Sequence, residues 1–176
     1  AEHYENYPQD LDACLKQFVA ETPSLSKVLG NAVWDTPARE INGYSANVKS
    51  LHGPGFALLG NAAEFLDPVF SSGVTIAMRS ASMAANLLDK QLNGEAVDWE
   101  AEFAIPLKRG VDAFRAYVEG WYDESFQDVI YHPGSSPEIR AMISSILAGY
   151  AWDLKNPYVA EPKRRLRVLA ELCASA

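Results

Sequence analysis

The sequence predicts a mostly helical chain with one or two strands. Three observations lead there. Leu107, Val111, Phe114, Val118 and Trp121 step by four, three, four and three, the spacing of one helical face. An alanine-rich helical pattern runs over 75–92. Only two stretches, 41–51 and 56–59, read as strand.

The elements follow in order. Asp10 can cap a helix whose apolar residues Leu11, Cys14, Leu15, Phe18 and Val19 keep helical spacing. Thr22-Pro23 reads as N-cap and first residue of a short second helix that Gly30 stops. Ile41, Tyr44 and Val48 tolerate β structure and predict one strand in 41–51. His52-Gly53-Pro54-Gly55 is a turn, so that strand should pair antiparallel with Phe56-Ala57-Leu58-Leu59. The strand ends at Gly60, a loop turns, and a helix opens near Gly73.

Ala77, Ala81, Ala84, Ala85 and Leu88 share a face of that helix, which can approach a neighbouring sheet closely. Gly94 ends it. A helical region over 99–131 follows, with Asp112, Arg115 and Glu119 off its apolar face. Pro106 is expected to kink or divide it, and His132-Pro133-Gly134 to terminate it. Ser135-Ser136-Pro137-Glu138 resembles a capping box for a helix through Leu147, and a last helix spans 161–172. So few strands cannot form an independent sheet. The apolar run 56–59 therefore reads as a buried strand with missing neighbours, as in a fragment or a chain whose sheet a partner completes.

Composition narrows the function. The chain has 176 residues, enough for one domain with a sizeable core. Its net charge of −8 argues against nucleic-acid and anionic-membrane partners, which need a basic face. The cluster Lys163-Arg164-Arg165-Leu166-Arg167 reads as a solvated helix face, with an anion or partner site as the alternative. Cys14 and Cys173 form neither a disulfide framework nor a metal motif, which fits a reducing cytoplasm. The start, Ala1-Glu2-His3-Tyr4, does not read as a signal peptide, no apolar run reaches membrane-spanning length, and the sequence opens without Met. The chain is expected to be a piece of something larger. His3, His52 and His132 lack metal-like spacing and read as surface or turn residues; no metal site is expected.

The chemistry concentrates in Gly60-Asn61-Ala62-Ala63-Glu64-Phe65-Leu66-Asp67-Pro68-Val69-Phe70-Ser71-Ser72-Gly73-Val74. Free amides at the helix start can hold an anion or an electron-rich oxygen. The stretch resembles the second flavin-binding motif of FAD-dependent monooxygenases with the p-hydroxybenzoate-hydroxylase fold. More narrowly, Phe65-x-Asp67-Pro68-x-Phe70-Ser71-Ser72-Gly73-Val74 is similar to the flavin-dependent halogenases. The match covers roughly 9–95 well and the remainder loosely.

The resemblance implies the C-terminal part of an α/β (α+β) FAD-binding monooxygenase fold. Residues 1–95 would belong to the FAD-binding domain, with its motif at 56–74, and 96–176 would form a helical C-terminal domain. Gly60, Asn61 and Ala62 would meet the ribityl–pyrophosphate, with Pro68 shaping the loop. The amides of Gly73 and Val74 would meet the isoalloxazine, where negative charge grows on reduction. The backbone at Ser72 and Gly73 would hold a halide. Phe70, Trp121, Tyr122 and Phe126 could line a pocket for an aromatic substrate, against a default of core packing. Ser71 and Ser72 could equally be plain N-caps, and Glu64 and Asp67 helix-dipole or solvent-facing residues.

Two departures matter. The usual Asp is Asn61, whose amide can still accept and donate hydrogen bonds. Phe70 stands where tryptophan halogenases carry a Glu, which points to phenols, pyrroles or carrier-bound acyl groups instead. No Gly-x-Gly-x-x-Gly and no Trp-x-Trp-x-Ile-Pro occurs in the chain. The ADP half of the site and the essential Lys are expected in a missing N-terminal half. The implied enzyme is a halogenase using reduced FAD, O2 and halide, with a separate flavin reductase as a further partner. A hydroxylase, a geranylgeranyl-reductase-like enzyme, and an inert fragment or helical interaction module are the alternatives.

Overall fold

A computed structural model describes residues 6–41, 43, 45–134 and 136–174. The readings at His3, Tyr44 and Ser135 lie outside these residues. The chain divides into two compact units, Ala1–Gly43 and Tyr44–Ala176.

The first unit holds α1 (Leu11–Glu21) and α2 (Pro23–Leu29). Asp10 and Thr22 occupy the N-cap positions, but neither side chain makes a cap bond. Thr22 instead closes the helix before it, its Oγ1 donating to the Phe18 carbonyl at 2.9 Å. Gly30 ends α2 as expected.

In the second unit, β1 (Ala46–Asn47) pairs antiparallel with β4 (Glu64–Phe65), and β2 (His52–Gly53) with β3 (Phe56–Ala57). The expected strand over 41–51 is thus reduced to two residues and pairs elsewhere. Its expected place beside Phe56 is taken by His52 and Gly53, because Pro54-Gly55 alone makes the turn. The run 56–59 is not buried: Phe56 is 50% exposed and Leu59 38%.

Helix α3 (Gly73–Leu92) buries Ile76, Ser80, Ala84 and Leu87. The predicted small-residue face lies beside this one, so Ala81, Ala85 and Leu88 are exposed. With Phe56, Leu59 and Trp99 they line an open groove of about 1190 Å³.

The region 99–131 is three pieces: a π-helical turn Glu100–Ala104, α4 (Ile105–Tyr122) and α5 (Ser125–Tyr131). Pro106 lies just after the π-helical turn, within a helical run that is continuous over 99–122, so it stands where the winding changes and does not divide the helix. The break, unanticipated, falls at Glu124, whose φ is 70°. Then come α6 (Pro137–Leu147), α7 (Pro157–Ala160) and α8 (Pro162–Ala174). Ser136 caps α6 by accepting the Glu138 amide at 3.2 Å.

The core surrounds α4: Val111, Phe114 and Tyr117 pack with Ile76, Phe126, Val129, Ile143, Ile146, Val159 and Leu166. Each buried large side chain contributes about 1.5–3 kcal/mol. Glu64 of β4, buried, forms an ion pair with Arg115 of α4, fixing the short sheet to the main helix. No helix among the described residues is long and apolar enough to cross a membrane.

Candidate flavin-motif site

The segment joining β3 to α3 is built from two tight turns. The first is the 3-10 turn Gly60–Ala62, closed by the Ala63 amide on the Gly60 carbonyl at 3.0 Å. Gly60 is buried with φ +54°, and a Cβ there would stand 3.0 Å from the Cβ of Ala77. A side chain would therefore meet both backbone strain and α3 itself.

The second turn is Pro68–Phe70. Asp67 caps it, its Oδ1 accepting the Val69 amide at 2.8 Å. The other carboxylate oxygen accepts the Tyr122 hydroxyl at 2.9 Å, tying the proline bend to the end of α4. Ser71, at φ 53°, reverses the chain into α3.

Ser72 stands at the N-cap of α3, buried, and its side chain makes no cap bond. The first amides of a 20-residue helix are thus left without a side-chain cap. Their partial positive charge favours an anion or an electron-rich oxygen. Gly73 follows, half-buried; among the described residues, its own helix backbone and chain neighbours aside, Asn61 Oδ1 alone comes within 4 Å of where its Cβ would stand, at 3.5 Å. Glycine there leaves the helix start open to close approach, with an amide side chain at its edge.

The predicted residues fall into two groups. Gly60, Asn61 and Gly73 come together, with Ser72 at the helix start; Ala62, Pro68 and Val74 lie exposed along the same connection. Phe70, Trp121 and Phe126 form a second cluster, Phe70 meeting the other two rings edge-on at 5.7 and 5.6 Å. Phe126 has no exposed surface, whereas Tyr122 is 66% exposed. Sequence reasoning missed Ser80, a fully buried serine on α3 whose Oγ accepts the Gly60 amide at 3.0 Å. Its signal was a hydroxyl in an otherwise apolar stripe. Among the described residues, no group of three or more His, Cys, Asp or Glu could hold a metal ion.

The chain superposes on the crystal structure of a flavoprotein/dehydrogenase from Cytophaga hutchinsonii with a TM-score of 0.91 and 36% identity. The match covers 99% of this chain and 43% of that one. A flavin-dependent halogenase of Penicillium aethiopicum is 32% identical over 106 residues, 59% of this chain and 20% of the relative. The chain resembles the flavin-dependent halogenases in sequence and a flavoprotein in fold.

Two further relatives differ in the substrates that their names give. A 1H-pyrrole-2-carbonyl-[peptidyl-carrier protein] chlorinase of Pseudomonas fluorescens is 45% identical over 49 residues, 28% of this chain and 11% of the relative. A tryptophan 2-halogenase of Chondromyces crocatus is 41% identical over 68 residues, 39% of this chain and 13% of the relative. The chain thus spans a fifth or less of these halogenases. No protein-family model matches it.

Proposed function

We propose that the chain supplies the flavin-facing part of an FAD-dependent halogenase acting on an electron-rich ring of phenol or pyrrole type, free or carrier-bound. The observation that carries this is the placement of Asn61 against an uncapped, glycine-opened helix start, in a chain that resembles halogenases.

Bound FAD supplies two-electron chemistry with O2, which in a halogenase oxidises halide. This chain's residues bind and orient. The amides of Gly73 and Val74 take the electron-rich edge of the ring, where charge grows on reduction. Asn61, with Gly60 and Ala62, takes the ribityl end, and Pro68 shapes the bend. The Ser72–Gly73 backbone takes the halide. Phe70 and Trp121, partly buried, form an apolar wall backed by Phe126, which packs in the core, and Tyr122 is exposed beside Asp67. The essential Lys and the ADP half of the site come from outside residues 1–176, and a separate flavin reductase supplies reduced FAD. In this reading residues 1–95 are part of the FAD-binding domain, 96–176 its helical companion, and the protein works in the cytoplasm.

A second reading, a flavoprotein oxidoreductase that uses no halide, draws on the Cytophaga neighbour, itself named a dehydrogenase. Similarity to a tryptophan halogenase makes indole the rival substrate. Adding FAD to the purified full-length protein, which carries the ADP half and the Lys, tests the site: bound flavin shows an absorption band near ~450 nm. Supplying chloride, reduced FAD and O2 with a phenol, a pyrrolyl carrier or tryptophan then tests the reaction. The proposal expects chlorinated phenol or pyrrole. Chlorinated tryptophan alone would overturn the substrate class, oxygen consumption without halide incorporation would support the second reading, and a colourless protein would mark an inert module.

A further inference from the structure

A serine inside a helix ordinarily turns its hydroxyl to a carbonyl one turn back. Ser80 does so, its Oγ donating to the Ala77 carbonyl at 3.0 Å. That uses the only hydroxyl proton and leaves the oxygen lone pairs to accept. One of them takes the Gly60 N–H at 3.0 Å. Ser80 has no exposed surface and Gly60 is buried, so water cannot take over either partner.

The same turn of α3 meets Gly60 twice: Ser80 by this hydrogen bond, and Ala77 by its methyl against the Gly60 backbone. Gly60 carries Asn61 as its next residue, and Asn61 Oδ1 reaches the edge of Gly73. A loop of contacts therefore runs from Ser80 through Gly60 and Asn61 to the first residue of α3, about two helical turns from where it began. We infer that Ser80 is a positioning residue of the flavin site. It touches no ligand and acts by fixing Gly60, so that Asn61 stands beside the open helix start. This rests on the reading that the Gly60–Val74 connection holds a flavin.

The test uses Ser80→Ala and the near-isosteric Ser80→Cys, whose sulfur accepts weakly. Amide hydrogen exchange, FAD affinity and the midpoint potential of the bound flavin at saturating FAD are measured. In Ser80→Ala the Gly60 amide should exchange faster while the amides of α3 stay protected. FAD affinity should fall about tenfold. The potential should move to lower values, because the helix amides no longer align with the ring. Ser80→Cys should fall between, and carries the test if the alanine variant does not fold.

Unchanged affinity and potential in both variants would overturn the role of Ser80 while leaving the flavin reading standing, since the unaltered protein would still bind FAD. Loss of stability with an unmoved potential would make Ser80 merely structural. An unaltered protein that takes up no FAD would overturn the inference together with the reading beneath it.

Discussion

Asn61 Oδ1 stands 3.5 Å from the position a Cβ on Gly73 would occupy. The two are twelve positions apart in sequence, and two tight turns with a short strand between them bring them back together. The contact joins the 3-10 turn after β3 to the front of α3. On the proposed reading it joins the ribityl end of a flavin to its pyrimidine edge.

Replacing Asn61 by Ala removes a polar side chain beside that opening. FAD affinity should fall by about 1 kcal/mol, roughly fivefold, the value of one hydrogen bond. Fluorescence titration with FAD measures it. Unchanged affinity would remove Asn61 from the site.

Gly73→Val adds bulk where approach matters most. Valine suits a helix better than glycine, so stability should change by less than about 1 kcal/mol. FAD binding and any chloride dependence should nevertheless be lost. A variant that keeps both would place the flavin elsewhere.

The Glu64–Arg115 pair is a stability device rather than a site. Glu64 is 7% exposed and Arg115 27%. Arg115→Ala leaves a buried carboxylate alone and should cost about 3 kcal/mol, the low end for such a pair because Arg115 keeps some solvent. Urea unfolding measures it. Replacing both residues by apolar side chains of similar volume should recover most of the loss.

Tyr117 is buried in the core, and its hydroxyl donates to the Tyr158 carbonyl at 3.2 Å. Burial, helped by Tyr158, pushes its pKa well above the ordinary tyrosine value. A phenol held neutral in the folded chain favours folding fully below the unfolded pKa of about 10, and that contribution is lost as pH rises further. Stability should therefore decline above pH ~10. Tyr117→Phe should flatten that decline, at a cost of about 1 kcal/mol at neutral pH. Denaturation midpoints across pH 8 to 11, chosen to bracket that pKa of about 10, check both.

The long helices were legible because their periodicity is local: the apolar steps from Leu107 to Trp121 and the pattern before Leu92 became α4 and α3. What failed depended on distant partners. Nothing near Ala46 announces Glu64–Phe65 as its partner, and which side of α3 is buried was decided by Gly60 and the core. The small-residue face was read correctly as a face but placed one step from the buried one. The break at Glu124 carries no Gly or Pro, so no local signal marked it. Along the connection, Gly60 and Pro68 were readable as turn residues because each answers a backbone need. Ser80 was not, because its partner lies twenty residues earlier.

The most direct test follows backbone amide resonances of the protein while FAD is added. The account predicts shifts concentrated at Asn61, Gly73 and Val74, in step with the appearance of the visible flavin band. Binding that moves amides elsewhere and leaves those three in place would contradict it.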